Sequence, residues 1–358
     1  MPGSLSAAPQ SAEAAALSSL AARAIRWQMV HGRNSLPWQN TRDPYRVWLS
    51  EVMLQQTQVA TVVSYFSRFV QRLPDVAALA AADVDEVLAL WSGLGYYSRA
   101  RNLHRCAVEV VTTWGGEFPR SAEALVTLPG IGRSTAAAIA ALCFGERVAI
   151  LDANVRRVLS RVLAFDADLA TQAGQRALWA AATELLPQRD LKRAMPRYTQ
   201  AMMDIGATVC AVRQPACGAC PLAELCRARQ SGSAESFPRI TRKNKRSAQS
   251  VWLLWAHTRD EAVWLDRRPP VGVWGGLYCL PWFHSRDDLI ASLPKRHHGA
   301  LRDLVAIRHV LTHKDLHLHP VRLLLGGDAL ASISGRWFGA GQWPGLGLPA
   351  PVRVLLQG

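Results

Sequence analysis

Four cysteines crowd into 17 residues of this chain: Cys210, Cys217, Cys220 and Cys226, separated by six, two and five residues. No other feature restricts the fold as strongly. Four thiols in one short loop either surround a common centre or lie buried without a ligand, and chance seldom spaces four so closely. A [4Fe–4S] cluster takes one cysteine at each iron corner and suits such a loop. Structural zinc sites usually bring their ligands as two close pairs, and only Cys217 and Cys220 form one here. The spacing favours a cluster over zinc, and both over unliganded thiols. Cys106, Cys143 and Cys279 make the total odd, which does not suit a secreted disulfide framework. The N-terminus has no basic segment followed by an apolar core, so the expected setting is reducing and cytoplasmic.

The 358 residues suggest two or three domains. Residues 1–20 are rich in Ala, Ser and Pro and read as a mobile tail running into a helix around Leu20–His31. From Tyr45 to Thr208 apolar residues recur at three- and four-residue spacing between Gly and Pro punctuation, and no strand alternation interrupts them. Residues 21–226 are therefore expected to be all-α, with the cysteine loop at 210–226. Residues 227–250 hold hardly any apolar side chain and read as a basic linker. Residues 251–358 contain seven of the 13 Trp and eight of the 10 His, with short β-branched and aromatic runs. They predict a separate α+β domain with a small sheet and a helix near Asp287–Leu293.

Charge narrows the partner. The net charge is +14, and six units of it fall within residues 227–250. Such a basic protein usually works on a polyanion, with nucleic acid ahead of an acidic membrane surface. No apolar run reaches the ~18 residues a membrane span needs.

Three further motifs carry chemistry. In Leu128-Pro129-Gly130-Ile131-Gly132-Arg133-Ser134, two glycines stand between two helical stretches. They let backbone amides approach an anion at a new helix N-terminus, which suits a phosphate cradle better than an ordinary turn. Asp152 follows an apolar pair and precedes the helical run Val155–Leu163, so it is expected to cap that helix. Glu51 stands among apolar residues in Val47–Thr57, with the polar patch Gln55-Gln56-Thr57 a turn further along. Desolvation there would raise its pKa and make it a usable general acid. For isolated carboxylates, a plain helix cap and a solvated helix glutamate are the competing readings.

Together these features resemble the helix–hairpin–helix, iron–sulfur DNA glycosylases, and within them the adenine-specific branch, the adenine DNA glycosylases. The matching stretches are Leu36-Pro37-Trp38, Trp48–Val59, Leu90–Asn102, Leu128–Ala137, Ile150–Val158, Gln200–Cys210 and the cysteine loop. Val273–Pro281 and Ile307–His313 extend the resemblance past the linker, over nearly all of the chain beyond residue 20.

The resemblance implies an all-α helix–hairpin–helix glycosylase domain with one [4Fe–4S] cluster on Cys210, Cys217, Cys220 and Cys226, and a Nudix-like domain at 251–358 that reads 8-oxoguanine. The implied function is a monofunctional glycosylase that excises adenine mispaired with 8-oxoguanine or G in duplex DNA. Glu51 would protonate adenine and assist water, Asp152 would stabilise positive charge on the deoxyribose, and Asn154 would orient the site. Leu54, Gln56, Thr57, Gln200 and Met203 match the pocket for the extruded base. Gln55 and Tyr96 match residues that fill the vacated stack; Gly130, Gly132, Arg133 and Ser134 match the phosphate-binding hairpin. Where strand-nicking relatives of this fold carry a hairpin Lys, this chain has Ser134, and Lys192 is its first lysine. The family's lesion-reading Phe-Ser-His is Leu311-Thr312-His313 here, so Thr312 and His313 keep polar groups while a ring is lost. His309, His313, His317 and His319 have no metal-ligand spacing and read as structural or DNA-facing. The protein is expected to act as a monomer without a membrane. A glycosylase–lyase for pyrimidine lesions and a non-catalytic DNA-binding module are the alternatives from other classes.

Overall fold

The computed structural model describes residues 8–241, 246–312, 314–326, 330 and 332–357, with side chains from residue 20 onward. The chain divides into two compact units, one of residues 1–70, 74–77 and 106–243, the other of 71–73, 78–105 and 244–358.

The first unit is helical. In chain order the helices begin with α1 (Ala8–His31), α2 (Pro44–Leu54), α3 (Val59–Arg72), α4 (Val76–Ala81), α5 (Val84–Trp91) and α6 (Ser98–Trp114). They continue with α7 (Ala122–Leu125), α8 (Arg133–Ile139), α9 (Ala153–Val162), α10 (Gln172–Glu184), α11 (Leu191–Thr208) and α12 (Arg227–Gln230). Most of α4, all of α5 and the start of α6 belong to the second unit. Helix α3 shows the logic: Val62, Phe66 and Phe69, at helical spacing, are its buried face. A large core gathers Leu20 and Ala24 of α1, Val155, Val158, Leu159 and Val162 of α9, and Met195, Tyr198, Met202 and Ile205 of α11. Leu222, Cys226, Ala228 and Phe237 join the same core.

Three expectations need correction. The first helix is longer than Leu20–His31, because α1 starts at Ala8. The basic stretch after 226 is not structureless: α12 forms there, Phe237 is buried, and Leu169 N donates to Arg239 O at 2.9 Å. Two apolar anchors suffice to fix it, and a composition count overlooks them. The Gln55-Gln56-Thr57 patch does not continue α2; Gln56 takes φ +57° and Thr57 N turns back to Leu54 O.

The second unit holds a mixed sheet of β1 (Ser247–His257), β2 (Val263–Arg267), β3 (Tyr278–Cys279), β4 (Trp282–Phe283), β5 (Arg302–Asp303), β6 (Ile307–Val310), β7 (Lys314–Leu324) and β8 (Arg336–Phe338). Its order is β3-β2-β1-β7-β5, with β4 on β1, β6 on β7 and β8 on β2. The expected small sheet thus has eight strands among the described residues. β1 and β7 run parallel from Ser247↔Lys314 to His257↔Leu324. One face packs Leu254, Ala256, Val321 and Leu323 on Leu289 of α13 (Arg286–Ala291). Helix α14 (Ala350–Leu356) follows, and Leu348 O just before it accepts from Ser92 and Tyr97 hydroxyls. No described helix is long and apolar enough to cross a membrane.

Candidate functional site

Two carboxylates meet in the first unit. Helix α2 carries Glu51 beside the buried Ser50, Val52 and Met53. Burial pushes the Glu51 carboxyl from the ordinary 4.5 up to about 7, and the nearby Asp152 charge adds to the rise. Asp152 caps α9: its Oδ1 accepts from Val155 N at 2.7 Å and its Oδ2 from Asn154 Nδ2 at 3.3 Å. Burial raises its pKa as well, but the hydrogen bonds from Val155 and Asn154 and the Arg157 charge pull the other way. Glu51 is thus desolvated with no compensating hydrogen bond among the described residues, and Asp152 is held by several. Burial raises both carboxyls, but only Asp152 has hydrogen bonds and a guanidinium charge that favour its ionised form, an asymmetry that suits one carboxyl to proton donation and the other to charge stabilisation.

The hairpin lies close by. Gly130 has φ +76°, a left-handed turn that favours glycine, and Gly132 caps α8 with open space where a Cβ would stand. The Arg133 guanidinium lies 3.9 Å above the Trp179 ring. Ser134 Oγ accepts from Leu151 N at 3.3 Å, tying the hairpin helix to the residue before Asp152. Gln55 Nε2 donates to Thr135 Oγ1 at 3.4 Å, so the turn after α2 is fixed to α8.

Residues outside the expected set hold this site. Arg157 is buried, donates from Nη2 to Asn154 Oδ1 at 2.9 Å and to Gly206 O at 2.6 Å, and from Nε to Cys210 O at 2.7 Å. A Cβ on Gly206 would come within 2.6 Å of Asn154 Cβ, so only glycine lets α11 lie against the start of α9. One turn on, Arg161 donates to Ala211 O at 2.6 Å, Val212 O at 2.9 Å, Phe237 O at 3.2 Å and Cys210 Sγ at 3.3 Å. Two arginines four apart beside the apolar Val155, Val158, Leu159 and Val162 are the signal that could have found them.

The four cysteines line one cavity with Val158, Arg161 and Val209. Burial pushes the Cys220 thiol up to about 11 and moves Cys226 in the same direction, and the neighbouring sulfurs add to both. Thiols so placed stay protonated until a bound metal replaces the protons. The donor set and the shared cavity fit a multi-iron centre with one cysteine per corner.

A second cavity in this unit is lined by Gln28, Asn34, Trp38, Gln39 and Val47 and by Gln200 of α11. Val47 lies one turn from Glu51. Gln200 lies three residues from the buried Met203, while Leu54 closes α2 and is half-buried. Gln200 Nε2 donates to Asp204 Oδ1 at 3.0 Å, and the fully buried Asp204 pairs with Arg33 Nε at 2.7 Å. Trp38, Gln39 and Asp204 were not among the expected site residues. The second unit holds a separate cavity lined by Tyr96, Arg101, Trp274, His309 and Thr312. There the Tyr96 hydroxyl and Thr312 Oγ1 are hydrogen-bonded, and Tyr96 takes φ +49°. His313 lies outside the described residues.

Residues 49–183 match the HhH-GPD superfamily of base excision DNA repair proteins, and residues 251–358 match the NUDIX domain. The chain is 32% identical to the adenine DNA glycosylase of Buchnera aphidicola subsp. Baizongia pistaciae over 93% of its length and 94% of the relative's. The chain belongs to the adenine DNA glycosylase family. It is also 45% identical to the human adenine DNA glycosylase over 57% of this chain and 38% of that one. Among solved structures, a thermostable thymine-DNA glycosylase matches with TM-score 0.54 and 26% identity, covering 62% of this chain and 99% of its own. A non-covalent endonuclease III–DNA complex, at TM-score 0.51 and 22% identity over 61% of this chain and 97% of that one, shares the fold. The family's two-part organisation thus coincides with an all-α part followed by a Nudix-like mixed sheet.

Proposed function

We propose that this chain excises adenine mispaired with 8-oxoguanine or guanine in duplex DNA, by hydrolysis of the N-glycosidic bond. The observation that carries the reading is the pair of unlike carboxyls. Glu51, with a pKa near 7, keeps a proton to give to a ring nitrogen of adenine. As the bond from the sugar to N9 breaks, its electrons leave with the protonated base and positive charge develops on the deoxyribose. Asp152, fixed by Val155 and Asn154, faces that charge as a carboxylate. Glu51, now ionised, takes a proton from the water that adds to C1′, and adenine and an abasic site are the products.

The extruded base is taken by Leu54, Gln56, Thr57, Gln200 and Met203, while Gln55 and Tyr96 fill the emptied stack. Extrusion costs a few kcal/mol, which such wedging partly offsets. Gly130, Gly132, Arg133 and Ser134 hold the backbone phosphates, and Thr312 and His313 read the opposite base. Cys210, Cys217, Cys220 and Cys226 would hold the [4Fe–4S] cluster, which would fix the loop that carries Arg213 and leads to Arg227 and Arg229, cations suited to backbone phosphate. With Ser134 in the hairpin, no amine is placed to form a Schiff base with the sugar. After Gly276 only Asp287 and Asp288 precede residue 303, too few acids for a Mg²⁺-dependent phosphohydrolase. The domains are assigned as 21–226 for catalysis, 227–250 as a basic connection anchored to the first core by Ala228 and Phe237 and running into β1, and 251–358 for reading the lesion, in a protein acting as a monomer in the cytoplasm.

The test is incubation of excess protein with 8-oxoguanine·A, G·A and T·A duplexes, with and without borohydride. Free adenine from the first two, and no high-yield trapped adduct, is the expected result. Release of a pyrimidine instead, or a stoichiometric adduct, would overturn the reading.

A further inference from the structure

Residues 234–241 belong to the basic stretch whose composition reads as a linker, yet alternate residues of this run are tied down. Glu235 Oε1 accepts from Gln214 N at 2.8 Å, which fastens the run to the cysteine loop between Cys210 and Cys217. Phe237 is buried in the core that also holds Val158, Val162, Val209 and Cys226, and its carbonyl accepts from Arg161 Nε at 3.2 Å. Arg239 O accepts from Leu169 N at 2.9 Å, and the Arg239 side chain pairs with Asp166 at 2.5 Å. Thr241 ends the run: its N–H donates to Asp168 Oδ1 at 3.2 Å and its hydroxyl to Asp168 Oδ2. Asp168 is itself held by Ala170 N at 2.8 Å. Between the anchors, Ser236 and Ile240 are exposed. Side chains that alternate in this way mark an extended segment laid along a surface.

The surface it lies along is that of the four cysteines. Ala234 lines their cavity together with Val158, Arg161 and Val209. The guanidinium that holds the Phe237 carbonyl also donates to Cys210 Sγ at 3.3 Å. Ordering these residues costs conformational entropy, which a segment that only joined two parts would keep. Thiolate ligands give up a metal when protons or a competing ligand reach them, so a cover over the cavity slows that loss.

We propose that residues 234–241 are a strap that closes the cysteine cavity against solvent and competing iron ligands, so that iron leaves when the strap lifts rather than when the domain unfolds. The inference rests on the cluster proposed above for Cys210, Cys217, Cys220 and Cys226. The strap is fastened on both sides of Phe237, by Glu235 to the cysteine loop and by Thr241 to the turn between α9 and α10. Each tie adds its own factor to the opening equilibrium, so the loss of both multiplies.

The experiment mixes full-length iron-loaded wild type, Glu235→Ala, Thr241→Val and the double variant with EDTA under nitrogen and follows the decay of visible absorption. Val62→Ala in α3 serves as the control, because it opens a core cavity away from the strap. Each single strap variant should lose iron about fivefold faster and the double variant about 25-fold faster, since one net hydrogen bond is worth about that factor. Val62→Ala should lower the urea midpoint and leave the rate of iron loss near that of wild type. Glu235 and Thr241 are exposed, so their replacements leave the core intact. In wild type the rate should stay nearly flat in urea below the unfolding transition, because lifting a strap exposes little surface. A double variant that keeps the wild-type rate overturns the proposal. So does a rate that climbs with urea as steeply as unfolding, or a Val62→Ala rate that matches the strap variants, since either means that iron leaves through the unfolded chain. Wild type isolated under nitrogen without iron overturns the cluster assignment and the strap with it, whereas iron-bearing wild type with unresponsive strap variants overturns the strap alone.

Discussion

Glu51 makes the protein less stable once it loses the proton that makes it useful. Its pKa of about 7 lies above the ordinary 4.5, so the folded protein holds this proton more tightly than the unfolded chain does. Between those values the folded state binds more protons, and stability falls as pH rises. The penalty is absent below about pH 4.5 and fully present above about pH 7. Glu51→Gln is therefore expected to stabilise the protein at pH 8 by on the order of 2 kcal/mol, with the gain shrinking toward pH 4.5, as urea unfolding at the two pH values would show. Wild-type base release should decline above pH 7 as the donor proton is lost; a rate still rising at pH 9 would contradict the role. The carboxyls were legible in the sequence because their own neighbours betray them: Glu51 stands in an apolar run and Asp152 at a helix start. Asp204 was not legible, since nothing near it in the chain announces that Arg33, 171 residues away, will be its partner.

At the scale of elements, α9 joins two chemistries. Its N-terminus is capped by Asp152, and its buried arginines hold the carbonyls and a sulfur of the cysteine loop. The cysteine loop was legible because four thiols announce themselves by spacing alone. The tie between loop and carboxylate was not, because its acceptors include backbone carbonyls 50–53 residues away, which carry no side-chain signature. Arg161→Met keeps most of the volume but strands three carbonyls. It is expected to cost about 3 kcal/mol or more in urea unfolding and to lower iron content measured by visible absorption. Gly206→Ala places a methyl within 2.6 Å of Asn154 and should slow base release more than it lowers melting temperature, as a scan and a single-turnover assay together would show.

The whole molecule carries its charge and its chemistry on different residues. The excess of +14 supplies sequence-independent attraction to phosphate, weakened by salt in proportion to the contacts made. Replacing Arg242, Lys243 and Lys245 by Gln should flatten the dependence of log affinity on log salt by up to about 3, roughly 0.9 per lost phosphate contact, and leave release at saturating protein unchanged. An unchanged slope would mean that these cations touch no DNA. The two-part organisation was visible as a shift in texture near residue 250. The burial of Phe237 was not, because one aromatic in a basic stretch carries no period. The bond-breaking step is assigned to two acids in a basic chain. Single-turnover release of adenine from an 8-oxoguanine·A duplex by wild type, Glu51→Gln and Asp152→Asn tests that assignment most directly. Both variants should fall by at least about 100-fold while still binding the duplex; either one releasing adenine as fast as wild type would contradict the account.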